Sequence, residues 1–548
     1  MEKSEKALDQ LSQGSNPKFL CGVAVNVYQN SGDPNSNWAW FENQKAACAN
    51  IHLRFTQADL GTTWGSPGTL DHTLLQTTYR ELGPSVINKG YKIKEASDFW
   101  NLYEDDIKKA ADLGCNSIRL SVEWSRLFPR RGQLDQSAVD RYNAMFDCME
   151  KHGIEAAVTL HWFVHPRWFD KLGGFTKEAN IAVYVEWAET AFKLFGKRAK
   201  LWATFNEPGV AAMCGWIAGN HPPGKLLHFR SAGKVLMHMC RAHAAAYKAI
   251  RQLPGGRDVE IGLIHNVFWT EPKGHGWRYA HARAMIRLSN RIWGNESVMN
   301  YLKHGVFHHA VVCQKAIHYE DPDGKPGCDF FGVNHYARGV VNWNLTPCNK
   351  FPGKGLTDMG YPCYPPSLYR AVSYASSLGV PVYITENGMA SAEDNEDRTE
   401  WINGNLAQAE AAVRDGYDLR GFMYWTLIDN FEWNFAWLLK FGIYEWDETQ
   451  APDYRKLRKS AEVLKEWYKR LPEDLGAIIA KRDPKAGIKS AEERAELELE
   501  AENKFLRDEG WNDNQIKKLR SYCNNPVVEG ATSKWSHMPV PGIKVEAA

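Results

Sequence analysis

The sequence lacks several patterns that would assign a chain of this size to a well-known class. Its 548 residues contain no apolar run long enough to cross a bilayer and no CxxC pair. The phosphate-binding turns GxGxxG and GxxxxGKS/T, the zinc motif HExxH and the serine-nucleophile turn GxSxG are also absent. These absences argue against a membrane-spanning protein, a nucleotide-binding fold and a zinc- or serine-dependent hydrolase.

The chain also has little net charge and no regular cysteine pattern. With 66 basic and 65 acidic residues its net charge is +1, so capture of nucleic acid or an anionic membrane by overall charge is not expected. Eleven scattered cysteines, an odd number, indicate reduced thiols and not a disulfide framework. The polar start, Met1–Lys18, has no apolar segment of a secretory signal. We therefore expect a cytoplasmic location.

No metal or other cofactor is expected either. His304 and His308 are four residues apart and could share a helix face, but no third ligand accompanies them. His161 and His165 have the same spacing, but we expect the first at a strand end and the second in a loop. Basic patches with interleaved aromatics, which would suggest a nucleic-acid partner, are absent as well.

Short apolar runs alternate with segments of helical periodicity along most of the chain. This alternation favours parallel strands joined by helical crossovers. Eight such units predict an α/β fold, a (β/α)₈ TIM barrel with long loops at the carboxyl face. A doubly wound open sheet is the alternative, but it would need the missing glycine-rich turn. The predicted strands are Phe19–Val27, Ser117–Glu123, Glu155–His161, Leu201–Glu207, Val259–Asn266, Cys328–Tyr336, Pro381–Glu386 and Leu419–Thr426.

Polar or aromatic residues stand at the carboxyl end of every predicted strand. In a barrel these ends meet at one mouth, where active sites lie. One or two such residues would be ordinary turn residues, whereas eight in register predict a site. They are Gln29, Glu123-Trp124, His161-Trp162, Asn206-Glu207, Asn266, Asn334-His335-Tyr336, Glu386 and Trp425.

The predicted organisation has three parts. Residues 1–18 form a polar lead, residues 19–471 the barrel domain, and residues 472–548 a C-terminal extension of helix and loop. In the extension, the sequence Ser-Ala-Glu-Glu at 490–493 is a capping box that opens a charged helix. An insertion at residues 42–95 is too long for an ordinary loop, and we expect it to shape the pocket.

Two glutamates at strand ends form the central pair of the predicted site. Glu207 and Glu386 end the fourth and seventh strands, so they should face each other across the mouth. Cleavage of a glycosidic bond needs two carboxyl groups, one to protonate the leaving oxygen and one to attack or stabilise the anomeric carbon. We expect Arg119 to pair with Glu386 and hold it ionised, although an ordinary buried ion pair would also explain it. Tyr336 can donate a hydrogen bond to the same carboxylate.

The motifs around these glutamates resemble those of a known family. Thr204-Phe205-Asn206-Glu207-Pro208 resembles the TFNEP motif of family 1 glycoside hydrolases, and Ile384-Thr385-Glu386-Asn387-Gly388 resembles their ITENG motif. The similarity includes residues 119–126, 357–360 and 425–433, and extends over roughly residues 17 to 470. It implies a TIM-barrel enzyme that cleaves small β-glycosides.

The resemblance also implies a role for each matching residue. Glu207 would be the acid/base and Glu386 the nucleophile of a retaining double displacement. Asn334 and Tyr336 match the pair that supports the nucleophile, next to Arg119. The residues that match glycone-binding positions are Gln29, His161, Asn206, Trp425 and Glu432, with Trp433 stacking beside them.

The chemistry of these side chains agrees with those roles. Gln29 and Glu432 can each bridge two adjacent sugar hydroxyls, and His161 can donate to one. Asn206, beside the acid, is placed to hold the 2-hydroxyl. The two tryptophans offer apolar faces to the C–H side of a pyranose. Because a carboxylate at Glu432 should repel a 6-phosphate, we expect unphosphorylated glucosides, galactosides or fucosides.

Three departures from the family pattern lie near the predicted site. The sequence His-Trp-Phe-Val-His-Pro at 161–166 replaces an HWDLP-like segment. Asn405 stands where the family commonly has histidine, and Tyr361 where it commonly has tryptophan. None of these changes affects Glu207 or Glu386.

Three functions remain open from the sequence. The first is a retaining β-glycosidase. The second is a transglycosylase, as in the galactolipid galactosyltransferase branch of the family, which residues 213–216 and 219–220 resemble. The third is a carbohydrate-binding protein without catalysis, which the presence of both glutamates disfavours. Neither the oligomeric state nor the natural aglycone follows from the sequence.

Overall fold

Fourteen strands occur in the computed structural model, which describes residues 18–44, 85–274, 276–348, 356–450, 454–482, 489–508 and 510–522. The strands are β1 (Leu20–Val25), β2 (Ser117–Ser121), β3 (Glu155–Thr159), β4 (Ala199–Asn206), β5 (Glu260–Asn266), β6 (Thr270–Pro272), β7 (Val306–His309), β8 (Ile317–Glu320), β9 (Phe330–Asn334), β10 (Gly339–Val341), β11 (Val382–Asn387), β12 (Leu419–Trp425), β13 (Tyr444–Glu445) and β14 (Lys456–Leu457).

Eight parallel strands close into a barrel in the order β1, β2, β3, β4, β5, β9, β11, β12, with β12 paired back to β1. The predicted TIM barrel is therefore confirmed. All eight predicted strands are present, and their ends differ from the prediction by at most two residues. The strands were recognisable because a strand buried on both faces reads as a continuous apolar run.

The barrel interior is filled by apolar side chains from alternate positions of the strands. This inner cluster is closed to solvent, so the barrel is a packed core and not a channel. Its members are Leu20, Ala157, Leu201, Ala203, Ile264, Phe330, Tyr383 and Met423. A second, larger core lies between the outer face of the strands and the surrounding helices.

The helices that surround and extend the barrel follow the strands in the expected alternation. They are α1 (Val27–Ser31), α2 (Asn37–Phe41), α3 (Phe99–Asp112), α4 (Trp124–Leu127), α5 (Gln136–Lys151), α6 (Arg167–Lys171), α7 (Asn180–Phe195), α8 (Pro208–Trp216), α9 (Phe229–Arg251), α10 (Ala280–Trp293), α11 (Asn295–His304), α12 (Pro366–Ser376), α13 (Glu396–Arg414), α14 (Ala461–Lys481), α15 (Ala491–Asp508) and α16 (Asp513–Tyr522). None of the helices in the described ranges combines the length and apolar composition needed to cross a membrane.

The loops at the carboxyl face carry small sheets of their own. The segments that leave β5 and β9 pair with each other through β6 and β10. An aromatic cluster that includes Trp38, Trp162, Trp425 and Trp433 packs at this end of the barrel. The predicted pocket-shaping insertion lies mostly outside the described residues, which resume at Ser85.

The C-terminal part of the chain is attached to the barrel by helix packing. Helix α14 runs through the predicted boundary after residue 471, and Leu475 and Ile479 are buried in the main core. The capping box is present, since the backbone N–H of Glu493 donates to Ser490 Oγ at 3.1 Å and that of Ser490 to Glu493 Oε2 at 2.6 Å. Helix α15 then packs on α12, where Ser373 Oγ donates to the Glu498 carboxylate at 2.7 Å. The tail after residue 522 lies outside the described residues.

Candidate active site

Glu386 lies near the end of β11 and is surrounded by hydrogen-bond donors. Its side chain is buried, and Arg119 Nη1 lies 2.7 Å from Oε1. The Tyr336 hydroxyl donates to Oε2 at 2.5 Å, and Asn334 Nδ2 donates to Oε1 at 2.7 Å. The ion pair expected from the sequence is thus present, together with two further donors that stabilise the charged form of this carboxylate.

The Arg119 guanidinium is fixed on every side. Its Nε donates to Thr159 Oγ1 at 3.0 Å and its Nη2 to Asn206 Oδ1 at 2.6 Å. The guanidinium carbon lies 3.7 Å from the centre of the Trp162 ring, in cation–π geometry. A planar cation held by these contacts has one orientation, which directs Nη1 at the carboxylate of Glu386.

Glu207 follows β4 directly and begins helix α8. Its backbone has φ 46° and ψ 61°, a left-handed conformation that a side-chain-bearing residue rarely adopts. Asn334 Nδ2 donates to its Oε1 at 2.7 Å, and Asn266 Nδ2 donates to the same oxygen at 3.0 Å. Strained backbone of this kind concentrates at functional sites, because the surrounding contacts must hold it in place.

The two glutamates are close together. Asn334 Nδ2 lies 2.7 Å from Oε1 of Glu207 and 2.7 Å from Oε1 of Glu386, so these two oxygens can be no farther apart than twice that distance. Two carboxyl groups this close in a buried site influence each other's protonation strongly.

The electrostatic surroundings of the two glutamates differ. Burial, and then the neighbouring Glu386 carboxylate, raise the pKa of Glu207 to about 8. Burial also raises the pKa of Glu386, but Arg119 and Tyr336 directly oppose that effect. The cation therefore favours a charged Glu386 and leaves the proton on Glu207.

The residues predicted to bind the glycone lie around this pair. Gln29 Nε2 donates to Glu432 Oε2 at 3.0 Å, and the nearby Trp425 side chain also lowers the pKa of the Glu432 carboxyl. Burial is the main reason that the pKa of Glu432 rises to about 8. Gln29 Oε1 is buried and has no hydrogen-bond partner among the described residues. The structure thus brings Gln29, Glu432 and Trp425 into one contact network.

Asn206 has a defined amide orientation. Its Oδ1 accepts from Arg119 Nη2 at 2.6 Å and from Asn334 Nδ2 at 3.0 Å. The Nδ2 group of Asn206 is buried and lacks a partner within the described part of the chain. Because both donors fix the oxygen, the amide N–H groups are free to donate to a ligand.

His161 contacts His165, which the sequence placed in the following loop and did not predict as its partner. Its Nε2 lies 3.2 Å from Nδ1 of His165, and burial lowers the pKa of His161 to about 3, so the ring is neutral. A cavity of about 50 Å³ lies beside both rings. Four buried nitrogens without partners in the described ranges belong to residues that line it, namely Trp38 Nε1, His161 Nδ1, His165 Nε2 and His221 Nδ1.

Trp433 lies in an aromatic cluster. Its ring stacks on Tyr28 at 6.2 Å and contacts Trp38 at 4.7 Å and Phe163 at 5.2 Å. Trp425 packs against Trp162, with ring centres 5.6 Å apart. Both indoles are therefore packed among other aromatic rings at the mouth of the barrel.

Two further contacts of the site were not predicted from the sequence. Asn266 was recognised as a strand-end residue but not as a partner of Glu207. This contact was predictable, because β4 and β5 are neighbouring parallel strands and their carboxyl ends, which carry Glu207 and Asn266, lie side by side. The packing of Trp162 on Arg119 was not predicted either. No sequence pattern indicates that a cation and an aromatic ring from two neighbouring strands will be in contact.

Metal-ligand geometry does not occur among the described residues, where no three His, Cys, Asp or Glu side chains converge as a metal site would require. His304 and His308 do not share a helix face, because α11 ends at His304 and His308 lies in β7.

Comparisons with known proteins agree on one family. The model of glycosyl hydrolase family 1 matches residues 77–475. Beta-glucosidase A of Acetivibrio thermocellus is 29% identical over 391 residues, covering 66% of this chain and 85% of the relative. The beta-galactosidase of Pyrococcus woesei is 27% identical over 509 residues, with 78% and 92% covered.

Solved structures show the same likeness. The beta-glycosidase from Pyrococcus horikoshii has a TM-score of 0.65 and 30% identity, covering 83% of this chain and 96% of that one. The beta-glucosidase from Thermotoga maritima in complex with deoxynojirimycin has a TM-score of 0.66 and 25% identity, with 82% and 97% covered. With the closed barrel and a family match over most of its length, the chain belongs to glycosyl hydrolase family 1 and is a β-glycosidase.

Proposed function

We propose that this β-glycosidase hydrolyses small unphosphorylated β-glucosides, β-galactosides or β-fucosides by a two-glutamate double displacement that retains the anomeric configuration. The observation that carries the proposal is the single Asn334 amide that lies 2.7 Å from both glutamates. The Oε1 atoms of the two glutamates are therefore at most twice that distance apart, which supports the spacing of about 5–5.5 Å between carboxyl groups in retaining enzymes over the roughly 6.5–9.5 Å in inverting ones.

In the first step Glu386 attacks the anomeric carbon while Glu207 protonates the departing oxygen. The bond from carbon to the leaving oxygen breaks, and an ester bond from carbon to Glu386 forms. In the second step Glu207, now a carboxylate, takes a proton from water, which attacks the same carbon and releases Glu386. The contrast between an arginine-paired Glu386 and a Glu207 with a pKa of about 8 supports this division of roles.

The glycone is held by groups whose hydrogen-bonding capacity the protein leaves unused. The amide of Asn206, next to Glu207, can donate to the 2-hydroxyl, where a hydrogen bond strengthens as positive charge develops on the ring. Gln29 Oε1 and the carboxyl of Glu432 can bind hydroxyls at the other end of the sugar. Trp425 and Trp433 supply the apolar walls.

A panel of aryl β-glycosides that differ only at C2, C4 and C6 tests this proposal. We expect turnover of the glucoside, galactoside and fucoside, and at least about 100-fold lower kcat/KM for the glucoside 6-phosphate. Burial and the charged Glu386 already disfavour negative charge at Glu432, so a phosphate beside it is disfavoured as well, and above about pH 8, where Glu432 is ionised, like charges in this desolvated site cost several kcal/mol. No release of aglycone from any member, or equal turnover of the phosphorylated glucoside, would contradict it.

The raised pKa of Glu207 predicts the alkaline limb of the pH profile. Because the first step needs Glu207 protonated and Glu386 ionised, kcat/KM for a substrate with a poor leaving group should be highest between the pKa of Glu386 and that of Glu207, and should fall as pH rises through about 8. The measurement is kcat/KM against pH for an alkyl β-glucoside. As a control, Glu207→Gln should lack this limb when the variant and the unaltered enzyme are measured with the same moderately activated aryl glycoside, whose leaving group still needs a proton. An unchanged limb in that variant would assign the titration to another group.

A further inference from the structure

Three large apolar side chains are exposed together on the rim of the barrel mouth. Trp277 is 85% exposed, Trp343 44% and Leu345 41%. Trp277 lies in a short 3-10 helix just before α10, whereas Trp343 and Leu345 follow β10. Single exposed apolar residues are common, but exposed tryptophans brought together from two loops are unusual on a soluble surface.

The contacts between the two loops hold these side chains in one patch. Pairing of β6 with β10 joins the loops, and the backbone N–H of Lys273 extends the pairing with a hydrogen bond of 2.8 Å to Val341 O. The Arg278 guanidinium carbon lies 5.4 Å from the centre of the Trp343 ring. The Tyr279 hydroxyl donates to Asn342 Oδ1 at 3.2 Å. We call Trp277, Trp343 and Leu345, with the basic residues around them, the rim patch.

The basic part of the rim patch has one sign of charge. Between Pro272 and Asn295 the sequence has lysine or arginine at 273, 278, 283, 287 and 291 and no aspartate or glutamate. Arg283 is linked to the patch by its Nη1, which donates to Gly276 O at 3.0 Å, and Arg287 follows one helical turn later. Among the described residues, no carboxylate forms an ion pair with the side chains of Lys273, Arg278, Arg283 or Arg287. A chain whose net charge is only +1 therefore has a local excess of positive charge in this segment.

Helix α10 joins the rim patch to a residue that neighbours the catalytic acid. Helix α10, which carries Arg283 and Arg287, ends at Trp293, whose Nε1 donates to Asn266 O at 3.0 Å. The side chain of Asn266 in turn donates to Glu207. A surface that the rim patch touched would therefore lie at the carboxyl face of the barrel, the face that carries Glu207.

We propose that the rim patch docks the enzyme on the surface of an anionic phospholipid bilayer. Tryptophan rings favour the headgroup region of a bilayer, and neighbouring basic side chains are attracted by anionic lipids. The two effects act together, which gives reversible binding where either alone would be marginal. Basic charge complements both an anionic membrane and nucleic acid, but exposed indoles beside it fit the bilayer interface better. Docking would present the mouth to glycosides held at the membrane.

Vesicle flotation tests the proposal with the full chain. We expect binding to vesicles of phosphatidylcholine and phosphatidylglycerol at about 7:3, little binding to phosphatidylcholine alone, and weaker binding as salt rises above about 0.15 M. The double variant W277A/W343A should lower the partition coefficient at least tenfold. R278E/R283E should remove the preference for anionic lipid, at about fivefold for each arginine lost.

Matched controls separate the patch from general surface effects. L227A removes another strongly exposed apolar side chain, 62% exposed, and K197E/K200E makes the same charge change on exposed lysines elsewhere. Neither control should alter vesicle binding. All four variants should keep full activity on a soluble aryl β-glycoside, so failure of docking is distinguishable from failure of the proposed catalytic function.

Three results would overturn the proposal. They are no flotation with anionic vesicles, equal flotation of W277A/W343A and the unaltered chain, or salt-sensitive binding to a duplex RNA that is tighter than binding to vesicles and unaffected by the tryptophan variant. The last result would assign the patch to nucleic acid.

Discussion

Replacing Glu386 with alanine is expected to lower kcat on an aryl β-glycoside by on the order of 10⁴-fold or more. The variant retains Glu207 and the glycone contacts but has no group that can form the glycosyl ester. It also removes the carboxylate whose Oε1 lies 2.7 Å from Arg119 Nη1, which leaves the buried charge of Arg119 unpaired. The decrease in kcat is obtained by measuring kcat and KM of the variant and of the unaltered enzyme with the same aryl glycoside.

Added azide or formate is expected to restore cleavage in the Glu386→Ala variant. A small anion can enter the space left by the carboxylate, pair with Arg119 and attack the anomeric carbon directly. One displacement in place of two gives a product of inverted configuration, which NMR of the glycosyl azide shows. The matched control is E260A, which removes a glutamate from the opposite end of β5 and should change kcat less than about twofold. Full activity of E386A, or azide rescue that gives only the retained product, would contradict the assignment of the nucleophile.

Replacing Glu207 with alanine should have an effect that depends on the leaving group. For an alkyl β-glucoside, whose departing oxygen needs a proton, kcat/KM should fall by about 10³–10⁴-fold. For a dinitrophenyl glucoside, which leaves without a proton, kcat/KM should fall less than about tenfold, because Glu386 and Arg119 remain in place. Hydrolysis of the glycosyl-enzyme then becomes slow, since no base activates the water.

Azide separates this variant from a general loss of structure. Azide needs no base, so it should accelerate turnover of the dinitrophenyl glucoside by E207A and give a glycosyl azide of retained configuration, opposite to the result for E386A. Equal losses with the alkyl and the dinitrophenyl glucosides would show that Glu207 does not act as the proton donor.

The strands and the main polar pairs of the site were predictable because each has a local signal. Buried parallel strands read as apolar runs, and strand ends meet at one mouth, so the proximity of Arg119 and Glu386 follows from topology. The end of α14 had no such signal, because Pro472 lies inside the helix, which continues and packs as far as Ile479.

The contacts that sequence reasoning missed depend on side-chain orientation across elements. The bond from Asn266 to Glu207 and the pair formed by His161 and His165 both depend on rotamers that no spacing rule encodes. The rim patch was missed for another reason. Net charge averages over the whole chain, and the pairing of β6 with β10, which brings the two exposed tryptophans together, involves strands of three residues each.

The single amide group of Asn334 has two hydrogens but three acceptors, since its Nδ2 lies within 3.0 Å of oxygens of Glu207, Glu386 and Asn206. The three acceptors must share two protons. In the proposed mechanism, Glu386 loses its negative charge on forming the ester as Glu207 gains one on giving up its proton. The hydrogen bond from the Asn334 amide to Glu386 then weakens and the one to Glu207 strengthens. The change reverses when water completes the cycle. The total charge on the two carboxyl groups thus stays constant while the charge alternates between Glu207 and Glu386. Asn334 can donate to either carboxyl group from one position, so neither step requires the surrounding donors to rearrange.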